Sequence, residues 1–148
     1  MLVSMSVDID APPEVVWTYL VEPEKTKAWF TALKEYDWTS EPGGVGSTFH
    51  WYEEAGGRTY NIDFETTEWE PPRVFGYRQT EGDFKSYTER WEIEQTPTGS
   101  RFTFNDHIEF DGLFGPVIDL FAPRVAKKGG AEILQNLKRL AEQEAKRS

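Results

Sequence analysis

Two carboxyl side chains lie in segments where apolar and polar residues alternate, and both occupy positions of the apolar set. Glu89 is two residues from both Tyr87 and Trp91, and Asp106 is two residues before Ile108. Because residues two apart share a face of a β-strand, both carboxyls are predicted to point inward. Burial raises the pKa of a carboxyl, and two neighbouring carboxyls split their pKa values, which suits a general acid and a general base. The pair predicts proton transfer during enolisation, cyclisation or dehydration of a carbonyl substrate.

The two segments that carry these carboxyls are predicted to be neighbours in a hairpin. The turn sequence Pro97-Thr98-Gly99 separates them, so Glu89 and Asp106 are expected within a few residues of each other across the strands. A structural role is the alternative. In that case one carboxyl pairs with an arginine such as Arg90 or Arg124, or it lies in solvent at the mouth of the sheet.

Other kinds of chemistry find little support in the sequence. The chain has no Cys, and its two histidines, His50 and His107, are predicted on outward strand faces, so no metal site is expected. The pairs Gly43-Gly44 and Gly56-Gly57 do not precede a helix with Lys-Ser or Lys-Thr, and they are interpreted as hairpin turns rather than phosphate loops. We expect no metal and no organic cofactor.

Length and charge restrict the class of protein. The 148 residues are interpreted as a single domain, 1–148, and the net charge of −10 argues against nucleic acid or an anionic membrane as a partner. There is no apolar run long enough to enter a membrane, and the N-terminal residues reach Asp8 too early for a signal peptide. The expectation is a soluble cytoplasmic protein that does not insert into a membrane.

The hydrophobic pattern predicts the order of the elements. An alternating strand at Leu2 to Ile9 is followed by two short helices, which begin near Pro12-Pro13 and Pro23. Six antiparallel strands separated by Gly- and Pro-containing turns come next, and a long amphipathic helix ends the chain. The predicted inward stripe of that helix is small in its middle: Ile118, Ala122, Ala126, Gly129, Ile133, Leu137 and Leu140.

An aromatic sheet face covered by a helix with small central residues predicts a ligand cavity. The chain contains 6 Trp, 6 Tyr and 10 Phe, which can enclose a wide space. The alternative is a solid core in which the large sheet side chains fill the gap. The predicted ligand-binding residues are Phe49, Trp51, Tyr60, Ile62, Phe64, Phe75, Tyr77, Tyr87, Trp91, Phe104, Ile108, Ala122, Val125, Ala126 and Gly129.

Short motifs distributed along the whole chain resemble those of a known family. They are the segment Ile9 to Trp17, Pro23-Glu24, Trp29, Gly44 to Ser47, Glu68 to Arg73, Gly99 to Phe102, and Lys138 to Glu142. In order and spacing the chain resembles the START/Bet v 1-type helix-grip superfamily, and within it the polyketide cyclase/dehydrase-like group. The resemblance implies an α+β fold, in which a seven-stranded antiparallel sheet curls around the C-terminal helix, with two short helices between strands 1 and 2. It also implies an internal cavity for apolar or aromatic small molecules.

Three functions remain open at this point. The first is binding of a small hydrophobic molecule, aromatic or with an acyl chain, which would include lipid binding. The second is a cyclase or dehydratase-type lyase that uses Asp106 and Glu89 without a metal or organic cofactor. The third is a protein-interaction or chaperone-regulator module, for which Trp69 on the predicted outer face is the motivating residue. The sequence leaves the oligomeric state open.

Overall fold

The computed structural model describes the backbone of residues 2–112 and 115–147, and the side chains of residues 2–112 and 127–147. The elements are β1 (Leu2–Ile9), α1 (Pro13–Val21), α2 (Pro23–Trp29), β2 (Leu33–Trp38), β3 (Thr48–Ala55), β4 (Arg58–Glu70), β5 (Val74–Gly82), β6 (Ser86–Thr96), β7 (Gly99–Glu109) and α3 (Gly115–Arg147). This is the predicted order of elements.

All seven strands form one antiparallel sheet with the order β1-β7-β6-β5-β4-β3-β2. Consecutive strands from β2 to β7 are hairpin neighbours, whereas β1 pairs with the last strand, β7. The chain therefore crosses from one edge of the sheet to the other through α1 and α2. The sheet curls around the C-terminal helix, and the predicted helix-grip fold is confirmed.

Proline sets the start of both short helices. Pro13 occupies the first turn of α1 and Pro23 the first turn of α2, where a missing backbone N–H removes no helical hydrogen bond. The two helices are tied together by Trp29, whose Nε1 donates to the Tyr19 backbone carbonyl at 2.8 Å. Thr26 Oγ1 donates to the same carbonyl, also at 2.8 Å. These bonds fix Trp29 against the sheet.

The core is an aromatic layer on the inner face of the sheet. Most residues that were predicted to point inward are buried, while Tyr60, Phe104 and Asp106 are half-buried. Many rings meet edge to face, such as Phe64 and Tyr77 with centroids 4.9 Å apart. The largest fully buried side chains are Trp51, Trp91, Tyr77, Phe49, Phe64, Phe75, Phe102, Ile9, Leu20, Leu33, Ile62 and Leu137.

Trp69 lies on the inner side of the sheet, so the prediction that it is exposed was wrong. The β4–β5 register shifts between Thr66 and Glu68, a β-bulge that reverses the alternation for the rest of β4. The half-buried Trp69 ring packs edge-on against Trp17 at 5.2 Å and against Phe75 at 5.5 Å. The bulge converts a residue of the nominal outer face into part of the core.

In its described C-terminal half, α3 packs on the sheet through a stripe close to the predicted one. Gly130, Leu134, Leu137 and Ala141 are buried, while Ile133 and Leu140, which were predicted for the stripe, are half-buried. Predicted stripe residues Ile118, Ala122 and Ala126 lie outside the described side chains. The helix lies close to the sheet at Gly130, where an added Cβ would lie 2.9 Å from Met5 Sδ and 3.2 Å from Phe104 Cζ.

Candidate functional site

A cavity of about 290 Å³ lies between the inner face of the sheet, α2 and α3. It is near the lower end of the roughly 300–1,000 Å³ that small-molecule sites occupy. Its described lining consists of Val3, Trp29, Phe30, Ala32, Glu53, Ala55, Tyr60, Phe84, Tyr87, Glu89, Trp91, Phe104, Asp106, Ile108, Phe110, Gly129, Gly130 and Ile133. Apolar and aromatic side chains make up most of this lining, as a site for a small hydrophobic molecule requires.

The cavity extends from the protein interior to its surface. Trp91 and Trp29, which are 1% and 2% exposed, line its inner part. Ala55, at the end of β3, is exposed, and Tyr60 and Phe110 are half-buried. The cavity therefore opens to solvent where β3 turns into β4 and where β7 ends.

Aromatic rings also form the wall near the opening. The Phe84 ring stacks on Tyr60 with centroids 4.9 Å apart and an interplanar angle of 18°. The same ring meets Tyr87 at 5.3 Å and Phe110 at 5.5 Å, both edge to face. This cluster joins four segments of the chain, and all four of its rings line the cavity.

Glu89 and Asp106 face each other across β6 and β7, as predicted, and both line the cavity. A hydrogen bond joins the two carboxyl groups, with Glu89 as the proton donor and Asp106 as the acceptor. Trp91 Nε1 donates a second hydrogen bond to Glu89 Oε1 at 2.5 Å. Asp106 Oδ1 is buried without a hydrogen-bond partner among the described residues.

Burial raises the pKa of both members of this pair. For Glu89 the pKa lies well above its usual range, because burial penalises the charge and the Asp106 carboxyl adds negative charge beside it. Burial also raises the pKa of Asp106, while the hydrogen bond from Glu89 opposes that shift. The expected state near neutral pH is therefore one shared negative charge, with the proton on Glu89.

A third carboxyl, Glu53, lies on the same cavity and was not predicted. It is 7% exposed, and its Oε1 has no hydrogen-bond partner among the described residues. Burial raises the pKa of Glu53 to about 8, and the negative charge of Asp106 contributes to the shift. Its position continues the alternation of Phe49 and Trp51 along β3, which is the signal that would have found it.

No basic side chain lines the described part of the cavity. Arg90, one of the two arginines considered as a carboxyl partner, instead bonds Glu68 Oε2 at 2.6 Å and pairs with Glu92. The side chain of Arg124, the other candidate, lies outside the described residues. The three cavity carboxyls thus have no cationic partner among the side chains that the structure describes.

The structure places some of the predicted ligand-binding residues on the cavity and others behind it. Those that line it are Tyr60, Tyr87, Trp91, Phe104, Ile108 and Gly129. Those that do not line it are Phe49, Trp51, Ile62, Phe64, Phe75 and Tyr77, all of which are 0% exposed in the core. Predicted residues Ala122, Val125 and Ala126 lie outside the described side chains.

Several cavity residues were missed because they lie outside the alternating strand segments. Trp29, Phe30 and Ala32 belong to α2 and the loop after it, and Phe84 is in the turn between β5 and β6. Gly130 was missed because the helical stripe was centred one residue too early. The two-residue period of a strand cannot identify residues in helices and loops. Three of these residues are aromatic, however, and their type alone could have suggested a place in the cavity wall.

The described residues contain no group of three His, Cys, Asp or Glu side chains that could hold a metal ion. His107 is 57% exposed on its strand, and His50 Nδ1 lies 2.7 Å from Asp63 Oδ1. The described part of the chain also has no helix that is long and apolar enough to cross a membrane.

The sheet order and the C-terminal helix together define the START/Bet v 1-like helix-grip fold. A family model described as "Polyketide cyclase / dehydrase and lipid transport" matches residues 2–142. The chain therefore belongs to this polyketide cyclase/dehydrase and lipid transport family.

Individual relatives are similar over nearly the whole chain. An uncharacterised protein of Mycobacterium tuberculosis is 28% identical over 138 residues, which cover 90% of this chain and 80% of that protein. The crystal structure of a Thermus thermophilus protein superposes with a TM-score of 0.81 at 20% identity, covering 95% of this chain and 97% of that one. A START superfamily protein from Mycobacterium smegmatis gives a TM-score of 0.78 at 16% identity, with coverage of 96% and 97%. At these identities the two structures support the fold.

Proposed function

We propose that the protein binds a small, predominantly apolar molecule in the cavity between the sheet and α3. The observation that carries this proposal is a mainly apolar and aromatic cavity that opens to solvent at the end of the sheet and includes Gly129 in its lining. A ligand that displaces water from these walls gains roughly 25 cal/mol for each Å² of apolar surface that it buries. Membership of a family that includes lipid transport supports the same function.

Gly129 offers a direct way to close the cavity. A Cβ added at Gly129 would meet no atom within 4 Å, so a larger side chain enters open space without displacing the core. Leucine is also a better helix former than glycine, by roughly 0.7 kcal/mol. Gly129→Leu is therefore expected to fill the cavity while the fold stays intact.

The test is a titration with the neutral fluorescent probe N-phenylnaphthylamine. We expect saturable binding to the wild type and at least about tenfold weaker binding to Gly129→Leu, because the isobutyl group occupies probe volume. Ala131→Leu is the matched control, since Ala131 is exposed on the same helix and its substitution places the same leucine side chain outside the cavity. Equal affinity of all three proteins would refute the proposal.

A second candidate function is acid–base catalysis by Glu89 and Asp106 in the same cavity. The supporting observation is the hydrogen-bonded carboxyl pair, which has a raised pKa at both groups and one acceptor oxygen free on Asp106. In this proposal Asp106 removes a proton from the carbon next to a carbonyl group, and Glu89 donates a proton to the carbonyl oxygen.

Deuterium exchange into the methyl group of acetophenone, followed by proton NMR, tests this second function. Wild-type protein is expected to accelerate the exchange, and Asp106→Asn is expected to lose at least about 100-fold of that acceleration, as for removal of a general base. Glu54→Gln, an exposed carboxyl next to Glu53, is the control. An unchanged rate in Asp106→Asn would exclude the pair as the catalytic groups.

The third function, a protein-interaction module, finds no support in the described residues. Leu2 and Val45, each 72% exposed, are the exposed large hydrophobic side chains there. Leu2 is in β1 and Val45 is in the loop before β3, at opposite ends of the strand order. The residue that motivated this function, Trp69, packs inside the sheet.

A further inference from the structure

The cavity combines hydrogen-bond acceptors and aromatic rings without a basic side chain in its described lining. Its three carboxyl groups come from different strands: Glu53 from β3, Glu89 from β6 and Asp106 from β7. They are close enough for each to influence another electrostatically. The cavity therefore brings three carboxyl groups into an otherwise apolar space.

Two oxygens of this group are left without partners. Glu53 Oε1 and Asp106 Oδ1 are both buried and make no hydrogen bond to described residues. A buried polar atom without a partner costs roughly 1–3 kcal/mol, and such atoms in native proteins generally have a specific explanation. A ligand that donates hydrogen bonds would give these oxygens the partners that they lack.

We infer that the molecule bound in this cavity is a small aromatic or aliphatic amine, whose ammonium group bonds Glu53 and Asp106 while its apolar part packs on the aromatic walls. This inference rests on the proposed binding function and adds the chemistry of the ligand. An ammonium group has three donors and no acceptor, which matches a site whose free atoms are carboxyl oxygens.

The aromatic rings around the carboxyls favour the same ligand. Faces of Trp, Tyr and Phe attract cations through their quadrupoles, most strongly where water is excluded. Tyr87 and Trp91 are two residues from Glu89 along β6, and Phe104 is two residues from Asp106 along β7. Trp29 packs on Trp91 with ring centroids 5.7 Å apart, and all four rings line the cavity. An anionic ligand such as a carboxylate would instead meet like charges, and a neutral alcohol would leave the negative charge of the pair uncompensated.

Binding of an amine should depend on pH through Glu53. The titratable groups that face it are Asp106 on β7, Glu89 and Tyr87 on β6, and Tyr77 on β5. Burial raises the pKa of both tyrosines well above their usual range, so they stay neutral. From α2 and the described part of α3, the lining residues are aromatic, aliphatic or glycine.

Near neutral pH Glu53 holds a proton in the empty protein, because its pKa is raised to about 8. An ammonium group stabilises the ionised carboxylate, so binding releases this proton. Amine affinity is therefore expected to rise between about pH 6 and pH 8, whereas the affinity for a neutral analogue is not.

The experiment compares three matched probes by isothermal titration calorimetry: phenylbutylamine, phenylbutanol and phenylbutyrate. At about pH 8 we expect the amine to bind at least about tenfold tighter than the alcohol, and the carboxylate to bind weakest. Glu53→Gln and Asp106→Asn should each lower amine affinity by about tenfold and change alcohol affinity by less than about threefold. Glu54→Gln removes a neighbouring exposed charge and should change neither affinity.

Binding of N-phenylnaphthylamine in parallel separates the inference from the proposed function. If this neutral probe binds and the amine shows no preference over the alcohol, the inference is overturned and the binding function stands. The inference is also overturned, and the binding function stands, if both Glu53→Gln and Asp106→Asn still prefer the amine. The negative charge that attracts the amine would then lie elsewhere on the acidic protein. If neither the neutral probe nor any of the three compounds binds, both the inference and the proposed function are wrong.

Discussion

Replacing Glu53 by glutamine should make stability less sensitive to pH, because the structure buries a carboxyl that prefers to be neutral. Burial raises the pKa of Glu53 to about 8 from its ordinary value of 4.5. Between these values the folded protein holds a proton that the unfolded chain releases. The free energy of unfolding of the wild type therefore falls as pH rises through this window, and it is highest below about 4.5.

The magnitude follows from the two pKa values. Their difference corresponds to about 5 kcal/mol when the whole window is crossed. Glutamine has nearly the same shape and does not ionise, so Glu53→Gln escapes this loss. Its advantage in unfolding free energy over the wild type should be about 1 kcal/mol at pH 5, about 3 kcal/mol at pH 7 and about 5 kcal/mol at pH 8.5.

Urea unfolding followed by tryptophan fluorescence at about these three pH values measures the difference, with the slope m compared between proteins. Glu54→Gln is the control: its carboxyl is exposed on the same strand, so its effect should stay within about 0.5 kcal/mol at every pH. A stability difference between Glu53→Gln and the wild type that does not change with pH would refute the reasoning, since Glu53 would then ionise as it does in water.

Three further predictions follow from individual contacts. Trp69→Ala should lower the free energy of unfolding by about 3 kcal/mol in urea, because Trp69 packs on Trp17 and Phe75; a loss below about 0.5 kcal/mol would mean that the ring is exposed. Gly130→Leu should be destabilising by roughly 1–3 kcal/mol while Gly129→Leu is not, because only at Gly130 does an added Cβ approach Met5 and Phe104; equal melting temperatures would contradict this packing. Trp91→Phe removes the hydrogen bond to Glu89 Oε1, which lowers the pKa of that carboxyl, so the pKa of Glu89 should rise further in a carbon-13 NMR titration; a fall would contradict the assigned bond.

Alternation along the strands was sufficient to predict the sheet and the carboxyl pair. Glu89 and Asp106 each continue a run of aromatic or aliphatic residues with period two, and a short turn fixes their pairing. The same rule extended by one step along β3 reaches Glu53. The pattern identifies the inward face because a strand alternates its side chains strictly.

The position of the cavity along that face could not be predicted by alternation. Tyr60 and Phe64 are both inward residues of β4, yet only Tyr60 lines the cavity, because the space lies at the end of the sheet where β4 begins. Trp69 was placed on the wrong face because a bulge adds one residue to the strand. Both outcomes depend on packing between segments distant in sequence.

Native mass spectrometry of the wild type and Gly129→Leu, freshly purified and then incubated with N-phenylnaphthylamine, tests whether the cavity binds a small molecule. The wild type is expected to carry one small molecule, either co-purified or the added probe, and Gly129→Leu is expected to carry neither. A wild type that remains empty in the presence of excess probe, or equal loading of both proteins, would contradict binding in this cavity.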